Sequence, residues 1–218
     1  MEKFNPKIIL SAAISIDGKL ATHKGDSKLS SKKDLTRLHK LRSQVDAILI
    51  GKNTLNQDDP LLTVRYSRGK NPIRIILDSN GTISEESKIL KTSNRVKTVI
   101  AVSKKISKKN LQKLKNFPIE IMIVGEKQVN IKSLIKNLGE RKIKTILLEG
   151  GGTINWEFIK NNMVDEFFIT ITPFILGGNG SISLVQGEGF EKIKNSLRLR
   201  LISVKRLEND LLLHYTNL

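Results

Sequence analysis

A chain of 218 residues, 39% of them hydrophobic, can bury a sizeable core in a single domain over 1–218 and does not have the composition of a disordered protein. It contains no cysteine and only His23, His39 and His214 as histidines, so disulfides, thiolate zinc sites and thiol nucleophiles are excluded and no metal site is expected. The formal net charge is +17, from 38 Lys and Arg against 21 Asp and Glu, which raises nucleic-acid binding as a reading to be weighed.

Short apolar runs rich in β-branched residues alternate with amphipathic stretches, the habit of an α/β fold. Lys7–Ser15 reads as a buried strand. Ser30 or Ser31 caps a helix through Ser43, where Leu35, Leu38 and Leu41–Arg42 recur at helical spacing. Asp46–Gly51 is a second strand and Asn53–Asp58 a helical turn closed by Pro60. Ile73–Leu77 is a third strand, ending in the turn formers Asp78-Ser79-Asn80-Gly81. Thr98–Val102 and Glu120–Val124 are two more, with a helix around Lys108–Lys115 between them and another over Ile131–Leu138. Lys144–Leu148 is a strand running into Glu149-Gly150-Gly151-Gly152-Thr153, and a helix covers about Ile154–Asn161. The end turns β-rich: Glu166–Thr172, Arg198–Leu207 and Leu211–Thr216, with Glu208-Asn209-Asp210 as a hairpin turn. The pattern predicts a central mixed, mostly parallel sheet flanked by helices, with a C-terminal antiparallel hairpin.

The lysines run from Lys3 to Lys205 with no basic tail and little aromatic interleaving. That favours a solvated surface, able to steer anionic ligands, over a nucleic-acid patch. No apolar run reaches the roughly 20 residues that cross a bilayer, and Met1–Pro6 lacks the apolar core of a signal peptide. A cytoplasmic protein without membrane contact is expected.

The strongest local chemistry lies at Leu147–Thr153. A buried strand there ends in consecutive glycines and a helix starts at once, so a phosphate can approach backbone N–H groups at a helix N-terminus. It is neither a G-x-G-x-x-G nor a Walker A pattern. A tight turn without a ligand is the bland alternative. Ser15-Ile16-Asp17-Gly18-Lys19 follows the first strand, where Lys19 could reach over a cleft beyond the sheet. Thr54 and Asp58, four apart on a helical turn, could hold an amide or a ribose hydroxyl, although spacing alone favours helix capping by Thr54 and turn formation by Asp58-Asp59-Pro60. Arg42 and Arg65 stand out among lysines, because guanidinium forks suit phosphate.

In order along nearly the whole chain, these segments resemble the C-terminal reductase domain of the bifunctional riboflavin-biosynthesis deaminase-reductases. More closely, they resemble the stand-alone diaminohydroxyphosphoribosylaminopyrimidine reductases of archaea and fungi. The segments are S-x-D-G-K at Ser15–Lys19, G-D-S at Gly25–Ser27, L-H-K-L-R-S at Leu38–Ser43 and T-x-x-x-D-D-P-x-L-T-V-R at Thr54–Arg65. They continue with N-P-I-R-I-I-L-D-S at Asn71–Ser79, L-L-E-G-G-G-T-I-N-W at Leu147–Trp156, V-D-E at Val164–Glu166 and P-x-I-x-G-G at Pro173–Gly178.

The resemblance implies a dihydrofolate-reductase-like fold, a homodimer and NADPH as hydride donor. By motif position, Thr54, Asp58, Ser79 and Gly150, Gly151, Gly152, Thr153, Ile154, Asn155 and Trp156 would hold NADPH, with Ala13 or Ile14 near the nicotinamide. Ser27, Arg42, Leu62, Arg65 and Glu149 would hold the substrate, with Ser27 and the two arginines on its 5′-phosphate; Lys28-Leu29 replaces the aromatic that follows this serine in the bacterial pattern. Asp58, Lys19 and Glu149 are the candidate acid–base groups. The implied reaction reduces the ribosylamino group of 2,5-diamino-6-ribosylamino-4(3H)-pyrimidinone 5′-phosphate to ribitylamino, by hydride transfer to C1′ of the ring-opened imine. The corresponding aminouracil is the runner-up substrate, and a dihydrofolate reductase proper and a nucleic-acid binder are the more distant alternatives. Without cysteine there is no P-C-x-x-C zinc site for deamination.

Overall fold

The structure is a computed structural model and describes residues 5–218. Part of the N-terminal reading therefore, Met1–Phe4, lies outside the described residues. One nine-stranded sheet organises the chain, in the order β10-β11-β8-β1-β7-β3-β4-β5-β6. Its strands are β1 (Lys7–Ser15), β3 (Ala47–Gly51), β4 (Ile73–Leu77), β5 (Thr98–Val102), β6 (Glu120–Ile123), β7 (Thr145–Gly150), β8 (Glu166–Thr172), β10 (Leu199–Leu207) and β11 (Asp210–Asn217). β11 runs against both of its neighbours, while every pairing from β8 across to β6 is parallel. The expected mixed sheet with its C-terminal hairpin is present.

The central strands read as unbroken apolar runs because both faces are covered. Ile48, Leu49, Ile50, Ile75, Ile76, Leu147 and Leu148 have no exposed surface. The faces are covered by α1 (Lys32–Arg42), α2 (Lys52–Asp58), α3 (Lys88–Lys91), α4 (Lys108–Lys115), α5 (Ile131–Glu140) and α6 (Gly152–Lys160). Side-chain caps start three of them: Ser31 accepts from Asp34 N–H, Ser107 from Asn110 N–H and Asn130 from Ser133 N–H. A small second sheet pairs β2 (Lys19–Ala21) with β9 (Ile182–Ser183).

α1 is present where expected, and Leu38 and Leu41 pack, half-buried, against a core cluster, but its most buried residues are Asp34, His39 and Arg42. The helix also turns a polar side inward because it borders a groove. One correction concerns α6, which begins at Gly152 rather than near Ile154, so its first turn is built from the glycine run itself.

The strand order explains where a groove must lie. β7 arrives late in the chain and inserts between β1 and β3. The connection leaving β3 through α2 goes one way, towards β4, and the one leaving β7 through α6 goes the other way, towards β8. Ligands of parallel α/β sheets bind beyond the carboxyl ends of the strands at such a divergence.

Candidate active site

A cavity of about 500 Å³ opens at that divergence, and a second, of about 680 Å³, adjoins it. Ser27, Thr54, Gln57, Asp58 and Glu149 line both, so the two form one continuous groove.

The first chamber is walled by the start of α2 and the start of α6. Gly150 and Gly151 have φ of +69° and +73°, a region that strains any side chain, and a Cβ on Gly151 would lie 2.7 Å from Thr54 Oγ1. Thr54 donates to the Gly150 carbonyl at 3.2 Å, so the glycine run and the Thr54–Arg65 loop meet face to face. Ser79 lies at the far end with Asn80. Thr153, Ile154 and Asn155 also line this chamber, and Asn155 Oδ1 is buried without a partner among the described residues. Over the sheet, Ser11, Ala12 and Ala13 form the floor.

The second chamber is built by Leu62, Pro60, Arg42 and the Lys24–Lys28 loop. Leu62 is buried and has φ of +50°, a left-handed conformation that turns the chain beneath the chamber. Ser27 donates to Asp58 at 2.8 Å across the join. Asp58 stands at the solvent-facing rim, but loss of water against the groove wall, helped by the Asp26 charge, raises its pKa; the Ser27 hydroxyl opposes that shift.

Glu149 and Arg42 form a forked ion pair at the back of the groove, with Nε–Oε1 2.7 Å and Nη2–Oε2 2.6 Å. Burial works against the Arg42 charge, but the Glu149 carboxylate more than offsets it and holds the guanidinium above its ordinary pKa. Arg42 also donates to the Thr63 carbonyl at 3.2 Å. Its fork is thus spent within the protein. Arg65 is exposed beside it, bonded through Nη1 to Thr63 Oγ1 at 3.0 Å, and its ring neighbour Tyr66 lies edge-on to His39. His39 joins the two arginines: its Nδ1 accepts from Arg65 N–H at 2.8 Å and its Nε2 lies 3.4 Å from Arg42 Nη1.

Five predicted site residues line neither chamber: Ile14, Lys19, Arg65, Gly150 and Trp156. Lys19 Nζ donates to Ser183 Oγ at 3.0 Å across the small sheet, and its neighbours Leu20 and Ala21 face the groove instead. Ile14 is in the core, and Trp156 is buried against Phe190, with ring centroids 5.0 Å apart. The Ser15–Lys19 motif has a structural task. Asp17 accepts from Ser15 Oγ, Leu176 N–H and Gly177 N–H at 2.7, 3.0 and 2.8 Å, fastening the first turn to the Pro173–Gly178 motif. The Ser15 bond first, then those backbone bonds, holds the Asp17 carboxyl down at about 2. Sequence reading missed Asp34 and Arg37, which line the first chamber from α1; Asp34 follows the capping Ser31 by three, a spacing that reads as a helix start and conceals any other role.

Among the described residues, no group of three or more His, Asp or Glu is placed to hold a metal, and no helix is long and apolar enough to cross a membrane.

This architecture, a mixed sheet with a glycine-walled groove at its switch point, is that of the dihydrofolate-reductase-like folds. The backbone superposes on dihydrofolate reductase from Enterococcus faecalis with a TM-score of 0.57 at 12% identity, covering 98% of each chain. It superposes on RibD of Acinetobacter baumannii with a TM-score of 0.85 at 24% identity, covering 98% of this chain and 58% of that one. Residues 6–213 match the RibD C-terminal domain family, and the chain belongs to it. A protein of Aquifex aeolicus (strain VF5) named 2,5-diamino-6-ribosylamino-4(3H)-pyrimidinone 5′-phosphate reductase is 39% identical over 203 residues, covering 91% of this chain and 90% of its own. A protein of the same name from Methanothermobacter thermautotrophicus is 36% identical over 214 residues, covering 97% and 98%.

Proposed function

We propose that this protein is an oxidoreductase of riboflavin biosynthesis that reduces 2,5-diamino-6-ribosylamino-4(3H)-pyrimidinone 5′-phosphate with NADPH, as a one-domain cytoplasmic enzyme. The observation that carries the reading is the meeting of Gly151 with Thr54 across a groove that continues to Glu149 and Arg42. The names of the two relatives supply the substrate.

The residues present fit a dinucleotide. Gly150 and Gly151 keep their backbone free of side chains, the first turn of α6 offers unpaired N–H groups to a pyrophosphate, and Asn155 Oδ1 is an acceptor in need of a donor. Thr54, Ser79, Thr153 and Ile154 would line its length, with the nicotinamide over Ala13. Lys52, at the Ser79 end and bonded to Thr82, suits the extra phosphate that distinguishes NADPH from NADH. Bound NADPH supplies the hydride.

The second chamber would take the sugar phosphate. Because Arg42 is committed to Glu149, the phosphate falls to Ser27 and the lysines of the Lys24–Lys28 loop, with Arg65, exposed outside the chamber lining and tied to His39, as a further ligand. Glu149, held by the Arg42 fork, is positioned to accept a hydrogen bond from a sugar hydroxyl. Asp58 is the candidate acid–base group: it lines both chambers, burial pushes its pKa upward, and ring opening to the C1′ imine needs a proton delivered to the sugar ring oxygen. Positioning of two bound partners supplies most of the remaining rate enhancement.

The protein is proposed to be a homodimer. β10 is an edge strand, and Leu201, Ile202 and Val204 on it are about half exposed, an apolar surface that suits a second copy. Sedimentation of the protein, with and without Val204→Glu, checks the dimer.

The experiment for the activity is NADPH absorbance loss with the purified protein and the diaminopyrimidinone phosphate, followed by identification of the ribitylamino product. Absence of oxidation with this compound and with its aminouracil counterpart rejects the proposal.

A further inference from the structure

The groove holds one charged pair to which the reaction above gives no task. Asp34 and Arg37 lie one turn apart on α1, and both line the first chamber. Asp34 is only 1% exposed. Its Oδ1 accepts from Arg37 Nε at 2.8 Å and from Thr170 Oγ1 at 2.7 Å, and Arg37 Nη2 donates to Ser11 Oγ at 3.2 Å. α1, β1 and β8 thus fix the pair from three directions. Among the described residues, Asp34 Oδ2 and Arg37 Nη1 have no hydrogen-bond partner.

An acidic residue in the first turn of a helix is favoured by the helix dipole, and an i,i+3 arginine suits it. That accounts for the sequence position but not for a carboxylate buried at the wall of an open groove. The strand register sharpens the placement. Thr170 on β8 is the direct partner of Ala13 on β1, and Ala13 is on the floor where the nicotinamide is proposed to lie. Asp34 is therefore tethered beside the place where the two reactants meet.

We infer that Asp34, supported by Arg37, reads the pyrimidine edge of the substrate and selects a 2-aminopyrimidinone over a uracil. The inference rests on the reductase reading and names the group that sets its substrate. Along one edge, a 2-amino-4-oxopyrimidine presents the 2-amino N–H, the N3–H and the O4 acceptor. The two adjacent donors can converge on Asp34 Oδ2, and O4 can accept from Arg37 Nη1. A uracil presents an oxygen where the amino group was. Facing Asp34, it sets acceptor against acceptor and leaves a buried oxygen without a donor. Sites that pair a substrate's polar groups in this way reject the analogue that lacks them far more strongly than apolar pockets do.

The test compares kcat/KM for the diaminopyrimidinone phosphate and the aminouracil phosphate in the parent and in Asp34→Asn. The asparagine keeps the shape but can offer an N–H to the uracil oxygen. The parent is expected to favour the diamino compound by about 100-fold or more, and the variant to narrow that ratio by about 10- to 100-fold, mostly through KM, with NADPH affinity unchanged. A variant that turns over with the parent's ratio overturns the inference and leaves the reductase reading intact. A parent active on neither compound rejects both. Should Asp34→Asn fail to bind NADPH, inhibition of the parent by 2,6-diaminopyrimidin-4-one and by 6-aminouracil decides. At least about 10-fold tighter inhibition by the former supports the inference, and equal inhibition overturns it.

Discussion

Glu149 and Arg42 are 107 residues apart in sequence, yet they meet through two hydrogen bonds of 2.7 and 2.6 Å at the back of the groove. Glu149 is the last residue but one of β7 and Arg42 ends α1, so the pair joins the central strand to the helix that forms the substrate-side wall. Each side chain is about nine-tenths buried, and removing one partner strands the other charge. Glu149→Gln is expected to lower turnover by about 100-fold or more, and stability by about 3 kcal/mol, with NADPH affinity nearly intact. Steady-state kinetics, cofactor titration and urea melts check the three parts. Equal turnover in variant and parent removes Glu149 from the reaction.

His39 makes stability depend on pH. It is 1% exposed, and burial first, then the Arg42 and Arg65 charges, lower its pKa from 6.5 to about 4, with Glu149 opposing. Between those two values the unfolded chain binds a proton that the folded chain refuses, so stability rises with pH across the window. The contribution is complete above about 6.5 and is lost as the pH falls towards 4. Asparagine at this position can keep an acceptor for Arg65 N–H without titrating. Urea melts over this range should show the parent losing on the order of 3 kcal/mol more than His39→Asn. Parallel profiles for the two proteins would contradict the assignment.

Arg74 is fully buried and none of its hydrogen bonds goes to a carboxylate. Its guanidinium donates to Thr98 Oγ1, Thr92 Oγ1 and the carbonyls of Ile89, Val96 and Leu61, tying β4 to α3, β5 and the loop before Leu62. Desolvation lowers its pKa to about 10, so it stays charged at neutral pH. Arg74→Met leaves several buried acceptors without donors and should cost about 3 kcal/mol or more. Thermal melting reads the loss, and a melting temperature within a degree or so of the parent's would refute it.

Gly151→Ala combines a left-handed backbone with a Cβ 2.7 Å from Thr54 Oγ1. NADPH affinity is expected to fall by about 10-fold or more, with a smaller loss of stability. Fluorescence titration with NADPH measures it; unchanged affinity would show that the dinucleotide does not lie along this wall.

Much of this was legible in the sequence. Unbroken apolar runs marked the central strands because parallel strands are covered on both sides, and the order of motifs brought Thr54, Asp58, Ser79 and the glycine run to one groove. The omissions have local causes. β2, β9 and α3 are too short to show a period, so Lys19 could not be seen tied to Ser183. The leucines of α1 outweighed the polar face that the helix buries, which hid Asp34 and Arg37. Arg42 was read as a phosphate ligand because nothing along the chain announces a partner as distant as Glu149.

The place of β7 governs when the groove comes into being. While the chain emerges during synthesis, β1 and β3 are complete long before the strand that separates them; β3 can already pair with β4, but the facing edges of β1 and β3 stay unpaired until Thr145–Gly150 has been made. Pairings over such separations are slow to find, because the intervening loop must be closed before any contact compensates for it. The nascent N-terminal half therefore exposes two apolar strand edges with nothing between them, a burden on chaperones that ends only when the sequence carrying the glycines arrives.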